Sequence, residues 1–202
     1  LTVDTARLSG TTSAGTGETI NLEVSGATYG SSASTRSGVT LVAQTGSDTL
    51  ETLNITSSGT AANDFALLAS TNVVLDTVNI SGTADLKMRV THDDVTGYTI
   101  ASTNTGTTEL IIDRNGITPA TSVLNFSGID TFSIKDGTSP ALGGDALDVS
   151  GFSSGSTIQF LDDGGATTLT GAAITGSSDS LTIVLDNESA STDTDITSID
   201  VQ

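Results

Sequence analysis

The sequence contains no cysteine and no tryptophan, and only two of its 202 residues are proline. The absence of cysteine excludes disulfide bonds and thiol chemistry. Aromatic residues make up 3% of the chain, so the side chains on which sugars usually stack are scarce. No apolar run approaches the ~20 residues that a membrane-spanning helix needs, and we therefore expect no membrane insertion.

Basic residues are also few, since 6 lysines and arginines face 24 acidic residues and the formal charge is −18. A surface without a basic stripe cannot neutralise phosphates, so we expect no nucleic-acid partner. The excess of carboxylates would attract divalent cations. It would equally serve to keep a β-rich surface soluble, and both interpretations stay open at this point.

Hydroxyl residues dominate what is present, with 37 threonines and 27 serines. Threonine is β-branched and fits a pleated, half-solvated surface, which favours strands over helix bundles. The 22 glycines can supply the turns between short strands. The composition therefore predicts an all-β protein.

One short phrase recurs along the chain, most clearly at Leu50–Gly59 and Leu75–Gly82. In each copy an apolar–Asn–apolar triplet is followed by serine or threonine and then by glycine. Counting weaker copies, the triplets begin at residues 22, 53, 78, 124, 147 and 199. The two largest separations are close to twice the others, which indicates a period of about 23–26 residues with eroded copies near 100 and 174. Such a period predicts stacked structural units.

The phrase also indicates how the units stack. In Leu53-Asn54-Ile55 the strand period of two sends the apolar side chains to one face and asparagine to the other. We predict a parallel β-helix (β-solenoid), in which each coil adds a rung about 4.8 Å from the last, with β-sandwich modules as the alternative. We expect residues 1–202 to form a single β-rich module of a longer protein. As an alternative, residues 1–46 form a separate leading segment.

Three asparagines of the phrase, Asn54, Asn79 and Asn125, also lie in Asn-x-Ser/Thr sequons. In a chain so rich in serine and threonine such matches arise by chance. We predict that these asparagines instead form a hydrogen-bonded ladder between rungs.

The sequence offers little for catalysis. The lone histidine, His92, stands beside two aspartates but is more typical of a solvated loop residue. Residues 151–155 match the Gly-x-Ser-x-Gly pattern of a nucleophile elbow, which requires a helix after it and a later histidine. Here a strand is predicted to follow, and no histidine lies beyond His92. We therefore expect that the protein is not an enzyme.

Calcium is the cofactor that the sequence favours, because hard cations take about six to eight oxygen ligands from acidic loops that glycine allows to bend. The candidate ligands are Asp93, Asp94, Asp136, Asp145, Asp148, Asp162 and Asp163. None of these loops has EF-hand spacing. Aspartate and glycine are also common in turns for conformational reasons alone, which is the alternative at each position.

Three segments, LETLNITSSGTAAN (50–63), LDTVNISGTADL (75–86) and GIDTFSIKDG (128–137), resemble repeats of bacterial surface-layer proteins of the type I-secreted, repeats-in-toxin class and of related large adhesins. That resemblance implies β-solenoid or β-sandwich modules, secretion and calcium-dependent folding. The calcium nonapeptide of the family is not intact. Residues 143–150 keep its glycine pair and its acid at Asp148 but carry Ala146 in place of the third glycine.

The resemblance and the composition together predict a structural component of an extracellular lattice on the bacterial cell surface. The expected partners are copies of the same chain in two dimensions, together with cell-surface polysaccharide. The alternative is an adhesin or fibre module that binds a host glycan or receptor.

Overall fold

The computed structural model describes residues 2–4, 19–29, 38–42, 48–69, 73–91, 99–113, 125–136, 146–148, 155–162, 168–169, 172–175, 182–187, 195–196 and 199–201. All regular structure in this part of the chain is β-strand, in agreement with the prediction from composition. A helix long and apolar enough to span a lipid bilayer is absent from it.

The strands form two large sheets and two small ones. Sheet A contains, in spatial order, β1 (Thr2–Asp4), β3 (Gly38–Val42), β5 (Asn63–Ala69), β7 (Leu86–Thr91), β9 (Thr108–Asp113), β11 (Thr131–Asp136), β13 (Thr157–Asp162) and β16 (Thr182–Asn187). Sheet B contains β10 (Asn125–Ser127), β8 (Thr99–Ser102), β6 (Val73–Gly82), β4 (Asp48–Ser58) and β2 (Thr19–Ser25). Sheet C contains β12 (Ala146–Asp148), β15 (Ala172–Thr175) and β18 (Ile199–Val201), and sheet D contains β14 (Thr168–Leu169) and β17 (Asp195–Ile196).

Among the described strands every pairing is parallel, and each strand pairs with the equivalent strand of the next coil. From β1 to β11 the chain alternates between sheet A and sheet B, so these sheets are two walls of one coil. From β12 onward it visits sheets C, A and D in turn. Parallel sheets built by such repeated passage define a parallel β-helix, and the predicted fold class is confirmed.

The register in sheet A reproduces the repeat. Phe65, Met88, Leu110, Phe132, Ile158 and Ile183 occupy one column of paired positions, at successive separations of 23, 22, 22, 26 and 25 residues. The segment GIDTFSIKDG (128–137) repeats the phrase only a few residues after the copy at Leu124, and its strand β11 lies in sheet A. The two copies belong to different walls, because one coil crosses both sheets.

In sheet B the corresponding column holds Ile20, Leu53, Val78, Ile100 and Phe126, at separations of 33, 25, 22 and 26 residues. The eroded copy expected near residue 100 is therefore β8. The predicted alignments at Leu22 and Leu124 are wrong by two residues, since Leu22 pairs with Ile55 and the column is occupied by Ile20 and Phe126. A shift of two residues keeps apolar side chains on the same face, so the pattern alone did not separate the two registers.

The inward columns of both walls form a common apolar core. Leu53 and Ile55 of sheet B, and Leu110 and Phe132 of sheet A, are buried. The rings of Phe126 and Phe132, one from each wall, lie with their centroids 5.4 Å apart and tilted by 56°. This arrangement is the tilted packing that aromatic pairs prefer, and it joins the two sheets across the core.

The corner between sheets B and A is built from glycine and asparagine. Gly82 has φ of 128°, and a Cβ placed there would overlap the carbonyl oxygen of Ser57 on the neighbouring coil. The buried Asn63 side chain donates to the carbonyl oxygens of Val24 and Ser58, at 3.2 and 3.0 Å. Its Oδ1 accepts from the Ala27 N–H at 3.1 Å. One asparagine thus satisfies backbone groups of two coils where the strand ladders stop.

Candidate functional site

Two of the predicted calcium ligands are neighbours in sheet A. Asp136 at the end of β11 pairs in register with Asp162 at the end of β13, and Asp162 pairs with Asn187 of β16. Asp148 lies in a different sheet, on β12, opposite Thr175 of β15.

Four further predicted ligands, Asp93, Asp94, Asp145 and Asp163, lie outside the described residues, as does His92. Within the described part of the chain, no group of three or more histidines, cysteines or acids is placed to hold a metal ion. Strand β13 begins two residues after Gly155, so the prediction that a strand follows the Gly-x-Ser-x-Gly pattern is confirmed.

The outward side of sheet B carries a regular polar surface, which we call the hydroxyl–amide face. It consists of Thr19, Asn21, Glu23, Thr52, Asn54, Thr56, Thr77, Asn79, Ser81, Thr99, Ala101 and Ser127, all exposed or half-buried. Threonines occupy one column through four consecutive rungs and asparagines occupy the next column through three. The period of two forces this result, because each of these residues flanks an inward apolar residue.

Hydrogen bonds between rungs order the amide column. The Asn79 Nδ2 donates to Asn54 Oδ1 at 3.0 Å, and the Asn54 Nδ2 donates to Asn21 Oδ1 at 2.8 Å. The predicted asparagine ladder is therefore confirmed for Asn54 and Asn79. It is wrong for Asn125, which pairs in register with Thr99 and lies in the threonine column.

Hydroxyl groups extend the same pattern. The hydroxyls of Thr56 and Ser81 lie 3.4 Å apart, and the Ser58 hydroxyl donates to the Glu23 carboxylate at 2.8 Å. Glu23 is the single charged member of the hydroxyl–amide face and lies on its edge strand, β2. Asp76, the residue before Thr77 on β6, is also exposed.

The outward side of sheet A is charged. Arg89 donates two hydrogen bonds to Asp64, at 3.2 and 3.1 Å, and its guanidinium lies 4.4 Å from the centre of the Tyr29 ring. Lys87 pairs with Glu109 at 2.9 Å, and the Ser133 hydroxyl donates to the same carboxylate at 2.7 Å. These contacts link neighbouring rungs, as the asparagine ladder does in sheet B.

Part of this outward side of sheet A is also covered. Ile111 on β9 and Ser133 on β11 are register partners that occupy outward positions, because each is flanked along its strand by inward-facing residues. Their exposed fractions are nevertheless only 2% and 0%. In the hydroxyl–amide face every side chain is exposed or half-buried. Among the described residues, sheet B therefore has the more uniformly exposed outer surface of the two walls.

Two acids that sequence reasoning missed hold the corner before sheet A. The Thr107 N–H donates to Asp85 at 2.8 Å, and the Thr108 N–H donates to Asp130 at 2.7 Å. The hydrogen bonds from the backbone and the side chain of Thr107 lower the pKa of Asp85 below its ordinary value of 3.8. The sequence contained a signal for this corner role, namely that each acid lies directly between an apolar residue that is buried (Ala84 or Ile129) and the strand that follows.

One further polar group at this corner is incompletely paired. The Asn104 Nδ2 donates to the Ala84 carbonyl oxygen at 2.9 Å, while its buried Oδ1 has no hydrogen-bond partner in the structure. In the described residues, side-chain amides and acids at the corner form hydrogen bonds with backbone groups. The outer side of sheet B is mainly hydroxyls and amides, whereas the outer side of sheet A carries charged pairs. Such an arrangement can present ordered donors and acceptors to another surface.

No protein-family model matches this chain, and comparison with curated proteins and with solved structures likewise found no match.

Proposed function

We propose that the protein is a structural module of an extracellular lattice on a bacterial cell surface, assembled from copies of the chain with calcium as the assembling ion. The sequence resemblance to surface-layer repeats supports this role. The observation that carries most weight is the in-register parallel stacking of the coils. It produces rigid walls whose side chains repeat at the rung spacing, and such walls suit repeated contacts between identical molecules.

The ends of the coil stack also favour association. Ile20 and Leu22 on β2 are half-buried, whereas their register partners Leu53 and Ile55 are fully buried. Ile183 on β16 is likewise half-buried, although Ile158 in the same column is fully buried. Incompletely covered apolar rungs at the ends of a solenoid are usually covered by capping segments or by neighbours.

The placement of Asp136 and Asp162 supports the choice of calcium. The two aspartates occupy directly opposite register positions at the ends of β11 and β13, and calcium takes oxygen ligands from acidic residues. Asn187 occupies the next register position and adds an oxygen-bearing residue type to the row. Calcium binding at this row of sheet A would therefore stabilise adjacent coils together.

The test compares the purified chain with calcium and with a chelator, using thermal unfolding and negative-stain electron microscopy. We expect a higher Tm and ordered sheets only with calcium, and we expect Asp136→Asn with Asp162→Asn to weaken both effects. The matched control is Asp76→Asn, since Asp76 is an exposed acid remote from this row in the chain. A calcium-indifferent monomer would contradict the proposal and would favour the adhesin alternative.

A further inference from the structure

We propose that two copies of this chain pack face to face through the hydroxyl–amide face of sheet B. The inference rests on the proposed function, because it names the surface and the partner of an assembly built from copies. It uses three features of the described residues: the distribution of charge, the hydrogen-bonding character of the face and its preorganised geometry.

Charge restricts where two copies can meet. Each chain carries a formal charge of −18, so identical molecules repel unless their contact surfaces are nearly neutral. The hydroxyl–amide face contains one carboxylate, that of Glu23, which lies at the edge and accepts a hydrogen bond from Ser58. The outward side of sheet A carries Asp64 and Glu109, already paired with Arg89 and Lys87. Charge therefore permits a contact through either described wall, and the burial of Ile111 and Ser133 on sheet A leaves sheet B as the more uniformly exposed one.

The face is also self-complementary. Hydroxyl and amide groups both donate and accept hydrogen bonds, so the same surface can satisfy its own copy. A two-fold contact requires this property, because each residue type meets residues of the same patch on the partner. A carboxylate-rich surface accepts only and would need a cation for the same purpose.

Preorganisation lowers the entropic cost of the contact. The asparagines are held by hydrogen bonds of 2.8 and 3.0 Å between rungs before any partner arrives. Threonine has few rotamers, so little side-chain freedom remains to be lost on binding. Stacked columns of identical side chains are the surfaces that interdigitate when two sheets pack face to face.

The size of the face predicts the strength of the contact. Sheet B has five strands spaced about 4.8 Å apart, and each strand contributes about six residues with a rise of about 3.3 Å per residue. The area of the face is therefore at most roughly 500 Å² per copy. The total of about 1,000 Å² lies at the lower limit for a specific interface. We therefore expect a weak dimer in solution, whose contact gains strength when a lattice repeats it.

Single-cysteine variants test the geometry cleanly, because the chain has no cysteine of its own. Thr77→Cys places a thiol on the central strand of sheet B, and Thr157→Cys is the matched control on sheet A. Both threonines are half-buried strand residues adjacent to a fully buried apolar residue. We expect a short bismaleimide to trap covalent dimers of Thr77→Cys at a several-fold higher yield than of Thr157→Cys. Equal yields would overturn the proposal.

Charge variants test the energetics. Thr77→Glu and Thr157→Glu change the net charge equally, but only the first places like charges within the proposed contact. We expect Thr77→Glu to weaken the dimer about tenfold or more in Kd by sedimentation equilibrium, and Thr157→Glu to leave it unchanged. Thermal unfolding of both variants checks that each remains folded. A dimer indifferent to Thr77→Glu would overturn the proposal.

The outcomes separate this inference from the proposed function. Ordered sheets without crosslinking at Thr77 would overturn the face-to-face contact and leave the lattice role standing. Dimers trapped at Thr77 without sheets, with or without calcium, would support the contact and contradict the lattice role. A wild-type chain that stays monomeric at millimolar concentration and instead binds an insoluble neutral polysaccharide would overturn the contact and identify a glycan as the occupant.

Discussion

Sheets A and B stack their strands in the same parallel register, but neighbouring rungs are held together by different chemistry on their outer sides. Sheet B uses neutral ladders, such as that of Asn21, Asn54 and Asn79. Sheet A uses ion pairs, with Arg89 on Asp64 and Lys87 on Glu109. The comparison shows that the inward apolar columns determine the coil, while the outward positions are free to acquire either character.

The two walls differ in exposure as well. The outward row of sheet A includes the fully buried Ser133, whereas the outward residues of sheet B remain accessible. The described charged side chains on the outward side of sheet A are paired with one another. The hydroxyls and amides of the hydroxyl–amide face are exposed or half-buried, and this contrast is the basis of the proposed contact between copies.

The largest effect is expected where the two walls meet. Phe132→Ala should destabilise the protein by about 3–5 kcal/mol, because it empties a buried volume against the Phe126 ring of the other wall. Chemical denaturation of Phe126→Ala, Phe132→Ala and the double variant measures the coupling. If the walls share one core, the two losses are not additive and differ from their sum by about 0.5–1.5 kcal/mol. Strict additivity would mean that each wall packs independently.

The next effect concerns the corner that leads from sheet B to sheet A. Gly82→Ala should cost about 2–4 kcal/mol, because it combines a positive φ with overlap against the Ser57 backbone. Gly26→Ala is the matched control, since Gly26 has φ of 66° but a Cβ at that position would meet no atom within 4 Å. Its cost should be limited to the conformational part, about 1–2 kcal/mol. Equal losses in urea denaturation would show that close approach of the coils does not constrain this corner.

Salt should distinguish the outer chemistry of the walls. Asp64→Asn removes the partner of Arg89, and its cost of about 1 kcal/mol should shrink as ionic strength rises. Asn54→Ala breaks the middle of the neutral ladder, and its cost of about 0.5–1.5 kcal/mol should not depend on salt. Urea denaturation of both variants at low and high sodium chloride provides the comparison. A salt-sensitive Asn54→Ala would remove the distinction between the two walls.

The smallest effect is expected in acid. Hydrogen bonds from Thr107 lower the pKa of Asp85, so the carboxylate stabilises the fold at pH values above its ordinary 3.8. That contribution is lost as the pH falls below 3.8 through the lowered folded-state value. Asp85→Asn should therefore be less stable than the wild type at neutral pH, with a difference that narrows in acid. Thermal unfolding from neutral pH to below pH 3.8 checks this, and a difference that grows in acid would contradict it.

The sequence predicted the coil because its inward residues are both apolar and periodic. Leu53 and Val78 needed no structural information to be placed inside. The register was less accessible, since Ile20 and Leu22 are both apolar and either fits the same face. The second wall was predicted only in part, for a related reason. GIDTFSIKDG (128–137) contains its strand β11, but β5 (Asn63–Ala69) has Ala66 between apolar residues where the phrase has asparagine.

The outer surfaces were predicted less completely. The asparagine ladder followed from Asn54 and Asn79 because identical residues at one register position must become neighbours. Arg89 and Asp64 were not predicted as a pair, because they are 25 residues apart and only the coil brings them together. The corner acids Asp85 and Asp130 were missed because acids in turns were considered as metal ligands rather than as acceptors for backbone N–H groups.

The order of strands in sheet A, from β1 at one side to β16 at the other, has a mechanical consequence. Tension applied between the first and last strands acts along the stack and peels one coil at a time, instead of shearing all the ladders together. Each released coil of about 23 residues would lengthen the chain by roughly 75 Å at full extension, against a rung spacing of about 4.8 Å. A surface built from such modules would yield in small, repeated steps under load and would recoil as the coils rewind.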